Sequence, residues 1–198
     1  NILITVAHPD DETIGMGGTI KKLSKNNEIT LCVMTDGASA QYDDKKMIKV
    51  RQDACKKAGK ILGISKFHFL NFPDMKLDSI SHVEMNKELE KIIKKFNPKI
   101  LYSTSYNDLN KDHQKVFESC SVISRPISSK IKQFLCFEMG GRNKTPFNPN
   151  TYVDISKELS FKLKALNQYK TEINPFPHER SLKFIESLSH VRGVESGF

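Results

Sequence analysis

Apolar residues along this chain fall into two alternating patterns. Unbroken runs rich in β-branched residues, Ile2 to Ala7 and Ile29 to Thr35, have the length and composition of strands buried on both faces. Phe67 to Leu70, Ile100 to Ser103, Phe134 to Glu138 and Tyr152 to Ile155 are shorter strand-like segments. Between them, apolar positions recur every three or four residues, as on one face of a helix. Pro9 to Glu12 opens such a stretch, with the stripe carried by Ile14, Ile20 and Leu23. Further helices are predicted over Lys45 to Leu62, closed by Gly63, and over Val83 to Phe96, stopped by Asn97-Pro98. Asp112 to Ile123, Ser156 to Tyr169 and His178 to Val191 complete the set. Strands alternating with helices imply βαβ units. The expected architecture is an α/β, Rossmann-like, doubly wound and mostly parallel sheet flanked by helices. Ligands in such sheets bind beyond the carboxyl ends of the strands, where strand order reverses.

The chain of 198 residues has no repeat, no low-complexity segment and no linker long enough to separate units, so one domain over residues 1–198 is expected. Hydrophobic residues are 38% and charged residues 27%, which excludes a disordered chain. The apolar runs fall far short of the ~20 residues of a membrane span, and Asn1 opens straight into the first one, which predicts no transmembrane segment and no signal peptide. The net charge of +8 comes mainly from Lys scattered through helical stretches; only five residues are Arg, and they are not interleaved with aromatics as in groove readers, so no nucleic-acid partner is expected. Cys32, Cys55, Cys120 and Cys136 each lie in an apolar stretch without a C-x-x-C spacing. They read as small core residues of a reducing, cytoplasmic protein rather than a disulfide framework.

Two clusters hold the candidate chemistry. His8-Pro9-Asp10-Asp11-Glu12 follows the first strand, and Asp108-Leu109-Asn110-Lys111-Asp112-His113 follows the fourth. Acids and Pro at helix starts explain much of both as capping and dipole complementation. That account leaves a His at the end of the first strand unexplained. The first and fourth strands are neighbours at the usual switch point, so His8, Asp11 and His113 can converge. Two imidazoles and a carboxylate are the three protein ligands of a catalytic zinc site with an open fourth position, which leaves Asp10 as a free base. On spacing alone both readings stand: a metal hydrolase, and capped helices around an unrelated site. Gly15-x-Gly17-Gly18 is no dinucleotide fingerprint, because it lies within the first helix rather than at its opening turn. It is expected to let helix and sheet approach closely. Asp36 is expected to hold its own loop, and His68 and His82 to be structural. Glu138 to Arg142, after a strand, has the position to reach a substrate.

Ala7-His8-Pro9-Asp10-Asp11-Glu12 with Gly15-x-Gly17-Gly18-Thr19 resembles the signature of the LmbE-like (PIG-L) family of zinc-dependent N-deacetylases. Thr35-Asp36-Gly37, Arg51 with the following Ala-Cys and Leu-Gly pattern, Phe72-Pro73-Asp74, Asp112-His113-x-x-Val116 and Tyr152-Val153-Asp154-Ile155 extend the likeness over essentially the whole chain. The resemblance implies removal of an acetyl group from a 2-acetamido sugar conjugate of the N-acetylglucosamine type, a small-molecule substrate. It implies one Zn²⁺ per chain on His8, Asp11 and His113, Asp10 as general base, and Arg51 as a substrate contact. Hydrolysis of another amide, or metal or sugar binding without catalysis, are the alternatives; oligomeric state is open. One position departs from the family pattern. Many relatives carry His-x-x-His where this chain has Asn110-Lys111-Asp112-His113. Asn110 can donate to an oxyanion but cannot deliver a proton, so Asp10 or another group, such as His178, must protonate the leaving amine. Relatives usually continue beyond the Arg192-Gly193 region, near which this sequence stops at Phe198.

Overall fold

A computed structural model of the chain describes residues 1–42, 44–141 and 143–198. Arg142, at the end of the Glu138 segment noted above, lies outside them. Among the described residues, five strands form one sheet: β1 (Ile2–Val6), β2 (Ile29–Thr35), β3 (Lys66–Phe72), β4 (Ile100–Thr104) and β5 (Gln133–Phe137). Their order is β3-β2-β1-β4-β5 and every pairing is parallel. Six helices connect and cover them: α1 (Asp11–Leu23), α2 (Lys46–Leu62), α3 (His82–Phe96), α4 (Lys111–Ile123), α5 (Leu159–Leu166) and α6 (Leu182–Ser196).

The alternation of side chains along the central strands divides the core in two. Ile2, Ile4 and Val6 of β1 and Ile29, Leu31 and Val33 of β2 face α1, α2 and α5, where they meet Ile20, Ala58, Leu62 and Leu166. Leu3, Ala7, Cys32 and Met34 face α3 and α4, where they meet Met85, Leu89, Val116 and Cys120. Both faces of β1 and β2 are covered, which is why these strands read as continuous apolar runs. The doubly wound parallel architecture is as expected. Chain order reverses on either side of β1: β2 leaves it in one direction and β4 in the other. The switch point therefore opens above the carboxyl ends of β1 and β4.

Three sequence expectations differ from the structure. Tyr152 to Ile155 is not a strand. Its polar backbone is served by side chains instead: Lys22 Nζ donates to the Asp154 carbonyl at 2.6 Å, and Ile155 packs where Gly18 of α1 leaves room. The last two helices are also displaced from the expected bounds, to Leu159–Leu166 and Leu182–Ser196. The second starts late because Ser181, whose Oγ accepts the Phe184 N–H at 3.1 Å, is the actual N-cap. Third, Cys136 is exposed on β5, whereas Cys32, Cys55 and Cys120 are buried and all four are free thiols. β5 is an edge strand, so apolar neighbours in sequence do not guarantee burial of every position.

Candidate metal and catalytic site

The turn after β1 carries most of the site. Asp10 heads α1 with φ 142° and ψ −28°, a backbone conformation rare outside glycine, and its side chain makes no capping bond. Capping therefore does not account for this acid. The turn is held residue by residue. The His8 N–H donates to Asp11 Oδ2 (2.8 Å), Arg51 Nη2 to the Pro9 carbonyl (3.0 Å), and the Asp10 N–H to Glu12 Oε2 (3.2 Å). Gly37, in the loop after β2, has φ 62°, and a Cβ there would lie 2.3 Å from Pro9 Cδ; only glycine lets this loop close on the turn. Asp36 fixes the same loop by accepting the Ala38 and Ser39 N–H groups at 2.9 Å each.

At α4 there is a side-chain cap, but it is not one of the acids. Asn110 is the N-cap, its side-chain oxygen accepting the Asp112 N–H at 2.8 Å. The cap orients the first helical turn so that His113 reaches across to the β1 turn. His8 Nδ1 and His113 Nε2 are 3.2 Å apart, His8 Nδ1 and Asp11 Oδ2 3.5 Å, and His113 Nε2 and Asp11 Oδ1 3.3 Å. Donor atoms each ~2.0–2.1 Å from one tetrahedral ion lie roughly 3.4 Å from one another; the two imidazole nitrogens meet that spacing, and Asp11, with a different oxygen beside each, supplies a third donor atom within 4.8 Å of both. All three residues are buried.

The opposite ring nitrogens are also engaged. His113 Nδ1 lies 2.7 Å from Asp108 Oδ2, and His8 Nε2 lies 3.2 Å from Asp74 Oδ1 and 3.3 Å from Asp112 Oδ2. His8, Asp74 and Asp112 thus form a second potential ligand group. Asp112 is already occupied, however: its two oxygens accept the Met75 and Leu77 N–H groups at 2.8 and 3.0 Å. Carboxylates behind both imidazoles fix ring orientation and tautomer, the usual surroundings of metal-binding histidines. The first group is accordingly the better cation site.

Burial opposes charge on both imidazoles, but the carboxylates outweigh it. His113 is raised to about 9 by Asp11 and Asp108, and His8 is raised by Asp11, Asp112 and Asp74. For Asp11 burial works against ionisation, yet the two imidazoles hold it well below the usual carboxylate range. Asp10 differs in kind. It is fully buried and neither carboxylate oxygen has a hydrogen-bond partner among the described residues. Burial raises its pKa, opposed by Arg51 and Arg180, whose guanidinium nitrogens stand 3.5 and 4.0 Å from Oδ2. Glu172 draws both cations away from it, with Arg51 Nη1 at 3.3 Å and Arg180 Nη1 at 2.7 Å. The acid next to the cation site is left an acceptor without a hydrogen bond.

The structure thus brings His8, Asp11 and His113 to one point, with Asp10 and Arg51 beside them. Arg51 is only 2% exposed, and its guanidinium is shared among Pro9, Asp10 and Glu172. Asn110 is half-buried, its Nδ2 within 3.5 Å of Met75 Sδ. His178 is exposed and uses Nδ1 to accept the Arg180 N–H at 3.0 Å. Arg180 and Glu172 had no signal in the sequence, lying in a loop and a turn far from either cluster. Asp108 and Asp112 were visible there, but as caps. A cavity of about 950 Å³ lies elsewhere, along β5 and α6, lined by Phe134, Phe137, Leu188 and Arg192. None of His8, Asp10, Asp11 or His113 lines it, so the site is defined by ligand geometry and not by cavity size.

Residues 3–123, which hold both clusters, match the model of the PIG-L family, GlcNAc-PI de-N-acetylase. The chain belongs to the PIG-L family. Its relatives include the diacetylchitobiose deacetylase of Thermococcus kodakarensis, 28% identical over 99% of this chain and 79% of that protein. An uncharacterized deacetylase of Escherichia coli is 31% identical over 86% of this chain and 90% of its own length. The N,N'-diacetylchitobiose deacetylase of Pyrococcus horikoshii, solved with an inhibitor, superimposes with a TM-score of 0.79 at 25% identity, covering 99% of this chain and 79% of that one. No helix among the described residues is long and apolar enough to cross a membrane.

Proposed function

We propose that this PIG-L family protein is a zinc-dependent hydrolase that removes the N-acetyl group from a 2-acetamido sugar of the N-acetylglucosamine type. The observation that carries the reading is the pairing of a three-donor cation site, His8, Asp11 and His113, with the adjacent buried carboxylate of Asp10, which accepts no hydrogen bond among the described residues. A binding protein has no use for such a free base, whereas hydrolysis needs one. Relatives that are deacetylases of acetylated chitobiose support the substrate class. Two imidazoles and a carboxylate suit zinc, one ion per chain. Bound there, it would supply Lewis acidity toward the acetamido carbonyl and toward water.

The chain's own residues do the remaining work. Asp10 accepts a proton from the attacking water, as its free oxygens permit, and returns it to the leaving amine. Asn110 Nδ2 donates to the oxyanion, its Oδ1 being spent on the helix cap. Arg51, beside Asp10, is the substrate contact: Nη1 and Nη2 are engaged with Glu172, Pro9 and Asp10, and Nε is the donor left without a partner among the described residues. Asp108, Asp74 and Asp112 keep the imidazoles oriented. Four free thiols fit a reducing, cytoplasmic setting, and a single domain spanning 1–198 fits the one sheet with its two-sided core.

Release of acetate and free amine from N-acetylglucosamine and N,N'-diacetylchitobiose, measured on the zinc-loaded protein and on its Asp10→Asn variant, tests this. Activity is expected with the former, and a loss of ~10²–10⁴-fold at unchanged zinc content with the latter. Loss of zinc in Asp10→Asn would instead make Asp10 a ligand.

A further inference from the structure

Asp10 needs something to hold it at φ 142°, because a non-glycine residue in that region is strained and relaxes unless its surroundings over-determine it. Its N–H donates to Glu12 Oε2, at 3.2 Å. Glu12 is itself fully buried, at 0% exposure, so its position depends on the donors that meet it. Two hydroxyls do so at the other oxygen, Oε1: Thr13 Oγ1 at 2.6 Å and Tyr169 Oη at 2.5 Å. Thr13 is a neighbour in sequence and moves with the turn. Tyr169 comes from 157 residues away, in the turn that follows α5, and is among the largest fully buried side chains. Its own backbone is fixed, the N–H donating to Leu166 and the carbonyl accepting from Glu172 and Ile173. Of these two donors, Tyr169 is the one anchored outside the turn.

We propose that Tyr169 is a positioning residue: through Glu12 it holds the backbone of Asp10 in the strained conformation that aims its carboxylate at the reacting water. The proposal rests on Asp10 being the general base. The same turn after α5 carries Glu172, which draws Arg51 and Arg180 off the Asp10 carboxylate. One short segment of the C-terminal region therefore controls both the backbone and the side-chain surroundings of Asp10, although it lies outside the stretch that matches the family model.

Tyr169→Phe removes the hydroxyl and keeps the ring. In the zinc-loaded protein acting on N,N'-diacetylchitobiose it is expected to lower kcat by about 10- to 100-fold, the scale of a small misplacement of a catalytic group, with KM and zinc content unchanged. A crystal structure of the variant should show Asp10 relaxed out of the positive-φ region, and the Asp10 amide should exchange faster with deuterium. Glu12→Met, which keeps the length and removes the acceptor of both the Asp10 N–H and the Tyr169 hydroxyl, should reproduce the effect, and the double variant should be no slower than the slower single one, since both break one chain of contacts. If Tyr169→Phe does not fold, Glu12→Met alone carries the test on the same readouts. Unchanged kcat, an unchanged Asp10 conformation, or loss in proportion to zinc would each overturn the proposal. Asp10→Asn separates two failures. If it is active, the base reading falls and the proposal with it; if it is inactive beside a fully active Tyr169→Phe, the proposal alone falls.

Discussion

Asp108 Oδ2 sits 2.7 Å from Nδ1 of His113, so the ring presents Nε2 to Asp11 and His8. The carboxylate does not reach the cation site, yet it decides which nitrogen faces it. Asp108→Asn keeps the shape and removes the charge. It is expected to weaken zinc binding by ~10–100-fold, the usual cost of losing a carboxylate behind a ligating histidine. Competition with a chelator of known affinity measures this; unchanged affinity would deny Asp108 the role.

On the proposed ligand set, zinc would compete with protons for the same imidazoles. His113 is raised to about 9 by Asp11 and Asp108 against burial, and His8 is raised above the ordinary histidine value, so these imidazoles hold protons more tightly than free histidine does. Zinc binding should release protons, and affinity should climb as pH rises toward about 9 instead of levelling off near the ordinary histidine value. Titration calorimetry in buffers of different ionisation enthalpy counts the protons. The sign for stability is opposite. A raised histidine stabilises the metal-free fold fully below ~6.5, and that contribution fades as pH passes the folded value. Metal-free protein should therefore melt lower at pH ~9.5 than at pH ~6, and zinc should reverse the order.

Asn110 caps α4 through Oδ1, and the proposed reaction would give its Nδ2 a second, chemical task. Asn110→Asp retains an oxygen to cap α4 and removes the Nδ2 donor, whereas Asn110→Ala removes both. The Ala variant should lose ~0.5–2 kcal/mol of stability. The Asp variant should keep its melting temperature and still lose rate, in the ~10²–10³-fold range of one oxyanion donor. If the two variants lose rate only in step with stability, Asn110 is a cap and nothing more.

Gly37 lies in the loop after β2, yet it bears on the turn after β1. Its φ is 62°, and a methyl group on its Cα would come within 2.3 Å of Pro9 Cδ, which leaves no room for a side chain. Gly37→Ala should destabilise the protein by about 1–3 kcal/mol and push Pro9, hence Asp10, out of line. Thermal melts should show the first effect. Reduced kcat in protein that remains folded and zinc-loaded should show the second.

Much of this was legible from local pattern. The unbroken β-branched runs at Ile2 and Ile29 announced strands covered on both faces, because a strand buried on two sides has no polar positions to alternate with. Alternation with helical stretches then implied parallel strands and a switch point, and His8 and His113 stood at its two lips. Spacing left open whether the polar residues at the two helix starts were caps or ligands, and the answer proved different at each end. Asn110 caps α4, while the Asp10 side chain makes no capping bond to α1. Capping depends on backbone angles, which sequence does not carry.

The ends of the chain's last elements, and the parts they play, were decided by packing alone. Tyr152 to Ile155 has strand propensity but no strand beside it, and lies against α1 instead. Tyr169, Glu172 and Arg180 belong to no motif, being a tyrosine, a glutamate and an arginine in a turn and a loop. They gain their meaning from α5 packing on α1, which sets them over a buried Glu12 and Asp10. Sequence by itself determined the layers, the switch point and the chemistry of the donors there, because those follow from periodicity and residue type. Which atoms meet, which carboxylate is left without a hydrogen bond, and which distant side chains hold it there follow from contacts between residues far apart in the chain, and only the tertiary structure decides those.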